Sequence, residues 1–84
     1  MRRSNYLRLV YRSELRPLLE MLKFRRLTLH GDAWMQLVEK TKQSIINSPR
    51  QYFQSPSKKD VLEFTVDDVF KEFLGEMKQS QKRY

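Results

Sequence analysis

Apolar residues recur along the chain at intervals of three and four, and this spacing predicts three helices. Between Leu7 and Leu22, the residues Leu7, Tyr11, Leu15, Leu18 and Leu22 fall on one stripe when wound at about 100° per residue, with Val10, Leu19 and Met21 at its edges. A first helix is expected over about residues 6–26, with Ser4 or Asn5 able to cap it. Pro17 lies inside it, removes one backbone bond and crowds the preceding turn. The expected result is a kink, with a second helix starting at Pro17 as the alternative. The stripe keeps its phase across Pro17, which favours the kink.

Gly31 marks the turn that follows, and Asp32 is placed to cap a second helix over about residues 33–47. Trp34, Leu37, Val38, Thr41 and Ile45 share its face, and Met35 and Ile46 flank it, free to widen the core or to meet a partner. Ser48-Pro49 should end that helix, because the residue before a proline resists helical backbone angles. Residues 49–64 read as an irregular loop with two prolines, in which Tyr52 and Phe53 either pin the loop to the core or stack on bases. Thr65 followed by Asp68 reads as a capping box, with Phe64 and Val69 as its staple, and a third helix is expected over about residues 66–80. Val66, Val69, Phe70, Phe73, Leu74 and Met77 form its apolar face, and Gly75 interrupts it at a cost of about 1 kcal/mol against alanine. Gly75 either lets another helix approach closely or weakens its own. Three amphipathic helices, none able to bury its face alone, make an all-α antiparallel three-helix bundle in a single domain spanning residues 1–84.

Charge sharpens this picture. The 84-residue chain carries a net charge of +7. Residues 1–30 hold eight basic side chains against Glu14 and Glu20, a balance of +6, whereas residues 60–77 hold six acids against Lys71, a balance of −5. Arg8, Arg12 and Arg16 stand four residues apart on the polar side of the first helix. Like charges at that spacing weaken an isolated helix by about 0.2–0.5 kcal/mol per pair. Such a row is either screened by solvent or meets something anionic. Should the acidic third helix face the row within the molecule, the arginines are already neutralised and docking there fails.

Catalytic chemistry is not indicated. The chain has no cysteine, a single histidine (His30) and two glycines, which excludes thiolate metal sites, a histidine-based zinc site and a glycine-rich phosphate loop. We therefore expect no enzyme, no metal and no cofactor of its own. No apolar run approaches the roughly 20 residues that cross a bilayer. The first 13 residues are rich in arginine and free of acid, the composition of a mitochondrial targeting segment.

Val10-Tyr11-Arg12-Ser13-Glu14-Leu15-Arg16 resembles the signature of the LYR-motif proteins, in which a Leu-Tyr-Arg triplet near the N-terminus is followed by Leu-Leu-Arg or a close variant. Tyr11, Arg12, Leu15 and Arg16 match in place, while Val10 stands where leucine is usual and Glu14 where a second apolar residue is common. Phe53 is a candidate for the downstream phenylalanine of the family. The resemblance implies a small three-helix accessory subunit or assembly factor of a respiratory complex, located in the mitochondrial matrix or on the matrix side of the inner membrane. It also implies an acyl carrier protein as partner, its acidic surface and phosphopantetheine phosphate meeting the basic motif helix and its acyl chain entering the bundle. The partner-binding set on this reading is Arg8, Tyr11, Arg12, Leu15 and Arg16, with Arg8 added from spacing alone. Bidentate arginine contacts to carboxylate or phosphate contribute about 1–3 kcal/mol each when partly buried. The alternative is a small basic RNA-binding or ribosome-associated protein, favoured by the arginine-rich helices and opposed by the acidic third one.

Overall fold

The computed structural model describes residues 3–82; the basic lead-in residues Met1 and Arg2 and the tail residues Arg83 and Tyr84 lie outside that range. Three helices are present, α1 (Arg3–Arg25), α2 (Asp32–Asn47) and α3 (Lys59–Lys82), with one 3-10 turn at Pro49–Gln51. There is no strand among the described residues. Arg8 meets Asp68 on α3 and Arg12 meets Glu76, so α1 and α3 run parallel. Lys42 meets Asp67 while Trp34 packs on Phe73, so α2 runs antiparallel to α3. The result is an up-down-up three-helix bundle, in which sequential helices are antiparallel.

All three helices supply the core. Tyr11, Leu15, Leu19 and Leu22 from α1 meet Trp34, Val38, Ile45 and Ile46 from α2 and Leu62, Val66, Val69, Phe70 and Phe73 from α3. Each fully buried aliphatic side chain contributes about 1.5–3 kcal/mol of transfer free energy. Ile46 joins this core, whereas Met35 stays exposed. The Trp34 indole donates to the Leu22 carbonyl at 2.8 Å, fastening α2 to the end of α1.

Three boundaries differ from the sequence expectation. α1 starts at Arg3, so Ser4 and Asn5 lie within it, and it runs unbroken through Pro17. Gly31, not Asp32, occupies the N-cap of α2: its φ of 57° suits a residue without Cβ, its carbonyl accepts from the Met35 amide at 3.1 Å, and Asp32 moves into the first turn. The largest correction concerns α3, which begins at Lys59, seven residues before the expected start at 66. Leu62 is buried in phase with Val66, Val69 and Phe73, so the apolar stripe continues upstream and carries the helix with it. Thr65 is therefore mid-helix and buried, and its hydroxyl donates to the Val61 carbonyl at 2.7 Å rather than forming a capping box. Phe64, the expected staple residue, is exposed.

The loop between α2 and α3 is pinned as its aromatics suggested. Phe53 is buried and stacks on Tyr11 with ring centroids 4.3 Å apart, and the Tyr52 hydroxyl lies 3.0 Å from Ser44 Oγ. Neither ring face of Phe53 is left for a base.

Candidate functional site

The arginine row of α1 lies beside the acidic face of α3. Because the two helices are parallel and each repeats a charge every four residues, the side chains interleave. Arg8 Nη1 lies 3.4 Å from Asp68 and 3.7 Å from Glu72. Arg12 Nη1 lies 3.0 Å from Glu72, and Arg12 Nη2 donates to Glu76 at 2.6 Å. From one end to the other the order is Asp68, Arg8, Glu72, Arg12, Glu76. The like-charge repulsion within each helix is thereby turned into attraction between helices. Arg12 Nη1 is shielded from solvent, faces Glu72 and makes no hydrogen bond, so it is held there by charge alone.

This arrangement redistributes the expected partner-binding set. Tyr11 and Leu15 are each 1 % exposed and belong to the core. The Tyr11 hydroxyl donates to Ser57 Oγ at 2.8 Å and accepts from the Ser57 amide at 2.6 Å, fastening the loop to α1. Glu14, whose carboxylate departs from the motif, accepts from the Gln54 amide at 2.9 Å and holds the same loop. Arg8 and Arg12 face carboxylates of α3 within the molecule. Arg16 differs: it is exposed and makes no ion pair among the described residues. The ladder ends at Glu76, one rung before it.

Arg16 lines an open groove of about 370 Å³ between α1 and α3. It is lined further by Leu9, Leu19 and Phe73, by the cations Arg12 and Lys23, and by the acids Glu20 and Glu76. Lys23 lies 3.5 Å from Glu20, an exposed pair within one helix that contributes little. Lys23 and Leu9 were not singled out from the sequence. Their signal was present: Lys23 is two turns after Arg16, and Leu9 is an apolar residue on the polar side of α1.

Elsewhere the electrostatics serve the fold. Lys42 of α2 is hydrogen bonded to Asp67 of α3, with Lys71 at 3.9 Å. The Lys42 hydrogen bond, aided by the charges of Lys42 and Lys71 and opposed by partial desolvation, holds the Asp67 carboxyl below its usual value of 3.8. Among the described residues no group of histidine, cysteine or acidic side chains is arranged to hold a metal, and no helix is long and apolar enough to cross a membrane. His30 is exposed in the turn before α2.

No family model, curated protein or solved structure matches the chain.

Proposed function

We propose that this chain is a non-catalytic helical accessory subunit that docks an acidic partner on the second half of α1, in the groove around Arg16 and Lys23. The observation that carries this reading is Arg16, exposed and without an ion pair among the described residues, at the end of a row whose first two members pair with α3. An arginine left out of the ladder, beside an apolar wall of Leu9 and Leu19, suits a carboxylate or phosphate that brings some hydrophobic surface with it. The resemblance of Tyr11, Arg12, Leu15 and Arg16 to the LYR motif supports an acyl carrier protein as that partner and the mitochondrial matrix as the location. On this reading the phosphate of the partner's acyl-phosphopantetheine arm meets Arg16 and Lys23. Arg12 then acts by positioning α3 rather than by touching the partner.

The test is a titration of the chain with an acyl carrier protein in its apo, phosphopantetheine and acylated forms, repeated with Arg16→Glu. The expected outcome is tightest binding of the acylated form and a loss of at least about tenfold, about 1.4 kcal/mol, on Arg16→Glu. Helicity should be unchanged, because Arg16 makes no ion pair among the described residues. Equal affinity of all three forms, with no effect of Arg16→Glu, would sink the proposal. So would binding of RNA alone, recognised by a steep linear fall of log affinity with log salt.

A further inference from the structure

A second groove, sharing no lining residue with the first, lies between the start of α2 and the second half of α3, with a volume of about 730 Å³. Its apolar surface comes from Trp34, Met35, Leu74 and Met77. Trp34 is fixed in place by its bond to the Leu22 carbonyl and by the Arg26 guanidinium 4.9 Å from its ring centroid. The two methionines supply adaptable walls that conform to varied apolar side chains. Its charged lining is mostly cationic: Arg26, Lys71 and Lys78 against the single acid Asp32. Lys71 is 78 % exposed and only 3.9 Å from Asp67, whose closer partner is Lys42.

Gly75 points to the occupant. It sits within α3, where glycine is unfavourable, and a Cβ built on it meets nothing within 4 Å. Among the described residues no packing requires glycine there. Gly75 lines this groove, so the room left by its absent side chain opens on whatever lies in it. Lys71, Gly75 and Lys78 are spaced i, i+4 and i+7, a single stripe with a cation at each end and a bare backbone between. A bare stretch of helix surface admits the close approach of another helix. The flanking cations select acids about two turns, or about 10.5 Å, apart on it.

We propose that this groove receives an acidic amphipathic helix of a partner protein, laid across Gly75 with its apolar residues against Trp34, Met35, Leu74 and Met77 and its acids beside Lys71 and Lys78. This is the helix-in-groove mode of recognition. It is independent of the docking at Arg16, and together the two surfaces make the chain a bridge between partners.

The test uses the full chain and a displayed library of helical peptides. Selection against wild type should enrich peptides with an apolar stripe flanked by acids seven residues apart. The selected peptides should bind Gly75→Leu at least about tenfold more weakly. That variant should melt a few degrees higher than wild type, because leucine is a far better helix former than glycine. Lys71→Glu with Lys78→Glu should weaken binding by a similar factor, whereas Arg16→Glu should leave it unchanged, which separates this groove from the one on α1. Absence of enrichment, enrichment without acids, or undiminished binding to Gly75→Leu overturns the proposal. A self-association of the chain that Gly75→Leu abolishes also overturns it, by assigning the groove to a second copy.

Discussion

Arg12 of α1 and Glu76 of α3 are joined by a 2.6 Å charge-assisted hydrogen bond that closes a five-residue ladder of alternating charge. Arg12 is the more enclosed of the two paired arginines, with a side chain 29 % exposed against 37 % for Arg8, and its contacts are shorter. Its loss leaves Glu76 without its partner and Glu72 with only the more distant Arg8, at 3.7 Å. We predict that Arg12→Met lowers stability by about 1–2 kcal/mol, between the values for exposed and buried pairs, whereas Arg8→Met costs less than about 1 kcal/mol. Thermal melts at low salt check both values. The gap between wild type and Arg12→Met should narrow toward about 1 M salt, where exposed charges are screened. Restoration by Arg12→Glu combined with Glu76→Arg would show that the pair, not the arginine stem, is responsible.

Tyr11 carries the loop between α2 and α3. Its hydroxyl bonds both the amide and the side chain of Ser57, and its ring stacks on Phe53. Tyr11→Phe keeps the stack and removes both hydrogen bonds, leaving the Ser57 amide without its acceptor. The expected cost is about 1–2 kcal/mol, with faster hydrogen exchange concentrated at residues 54–58 rather than spread over the helices. Tyr11→Ala also empties a core position and should cost about 3–5 kcal/mol. A Tyr11→Phe variant with unchanged exchange at Ser57 would show that the loop is held by Phe53 and Glu14 instead.

These roles explain how far the chain was legible before its structure was known. The core faces were readable because Tyr11, Leu15 and Leu22, or Val66, Phe70 and Phe73, repeat at helical intervals, and burial follows that repeat directly. Thr65-x-x-Asp68 has the form of a capping box and points to a start for α3 later than the one observed. Leu62, one turn earlier and in phase, was the competing signal, and burial of Leu62 decided it. The opposite charges of the two ends were visible, but their pairing depends on how α1 and α3 are rotated against each other, which no single-helix pattern specifies. Tyr11 was visible as an apolar-stripe residue. Its bond to Ser57 spans 46 residues and is set by where the loop lands. The structure thus leaves Arg16 exposed, buries Tyr11 and Leu15 in the core, and sets Arg8 and Arg12 in the ladder.

The Lys42–Asp67 pair between α2 and α3 predicts an acid-sensitive term in stability. Lys42 holds the Asp67 carboxyl below its unfolded value of 3.8, so the folded state binds this proton less readily than the unfolded chain. The contribution is therefore fully present above about pH 3.8 and is lost as pH falls further, through the depressed folded value. Because Asp67 is 43 % exposed, the effect is modest, under about 1 kcal/mol. Asp67→Asn should be less stable than wild type at pH 7 and should converge with it as pH falls well below 3.8, as chemical denaturation across that range would show. A constant difference across that range would assign the loss to packing rather than to charge.

The two glycines predict opposite outcomes for the same substitution. Gly31 holds φ at 57° in the N-cap of α2, a backbone conformation that a Cβ disfavours even though the space around it is open. Gly31→Ala should destabilise the bundle by about 1–3 kcal/mol, since φ 57° with ψ −130° is a backbone conformation essentially confined to glycine. Gly75 has ordinary helical geometry and open space around its missing Cβ. Gly75→Ala should stabilise the bundle by about 0.5–1 kcal/mol, through helix propensity and a smaller unfolded ensemble. Differential scanning calorimetry of the pair reads both signs, at about 4–8 °C per kcal/mol for a domain of this size. A stabilising Gly31→Ala would mean that the turn before α2 relaxes to a right-handed backbone. A destabilising Gly75→Ala would mean that α3 meets a neighbour above Gly75, in the space that the second groove leaves open.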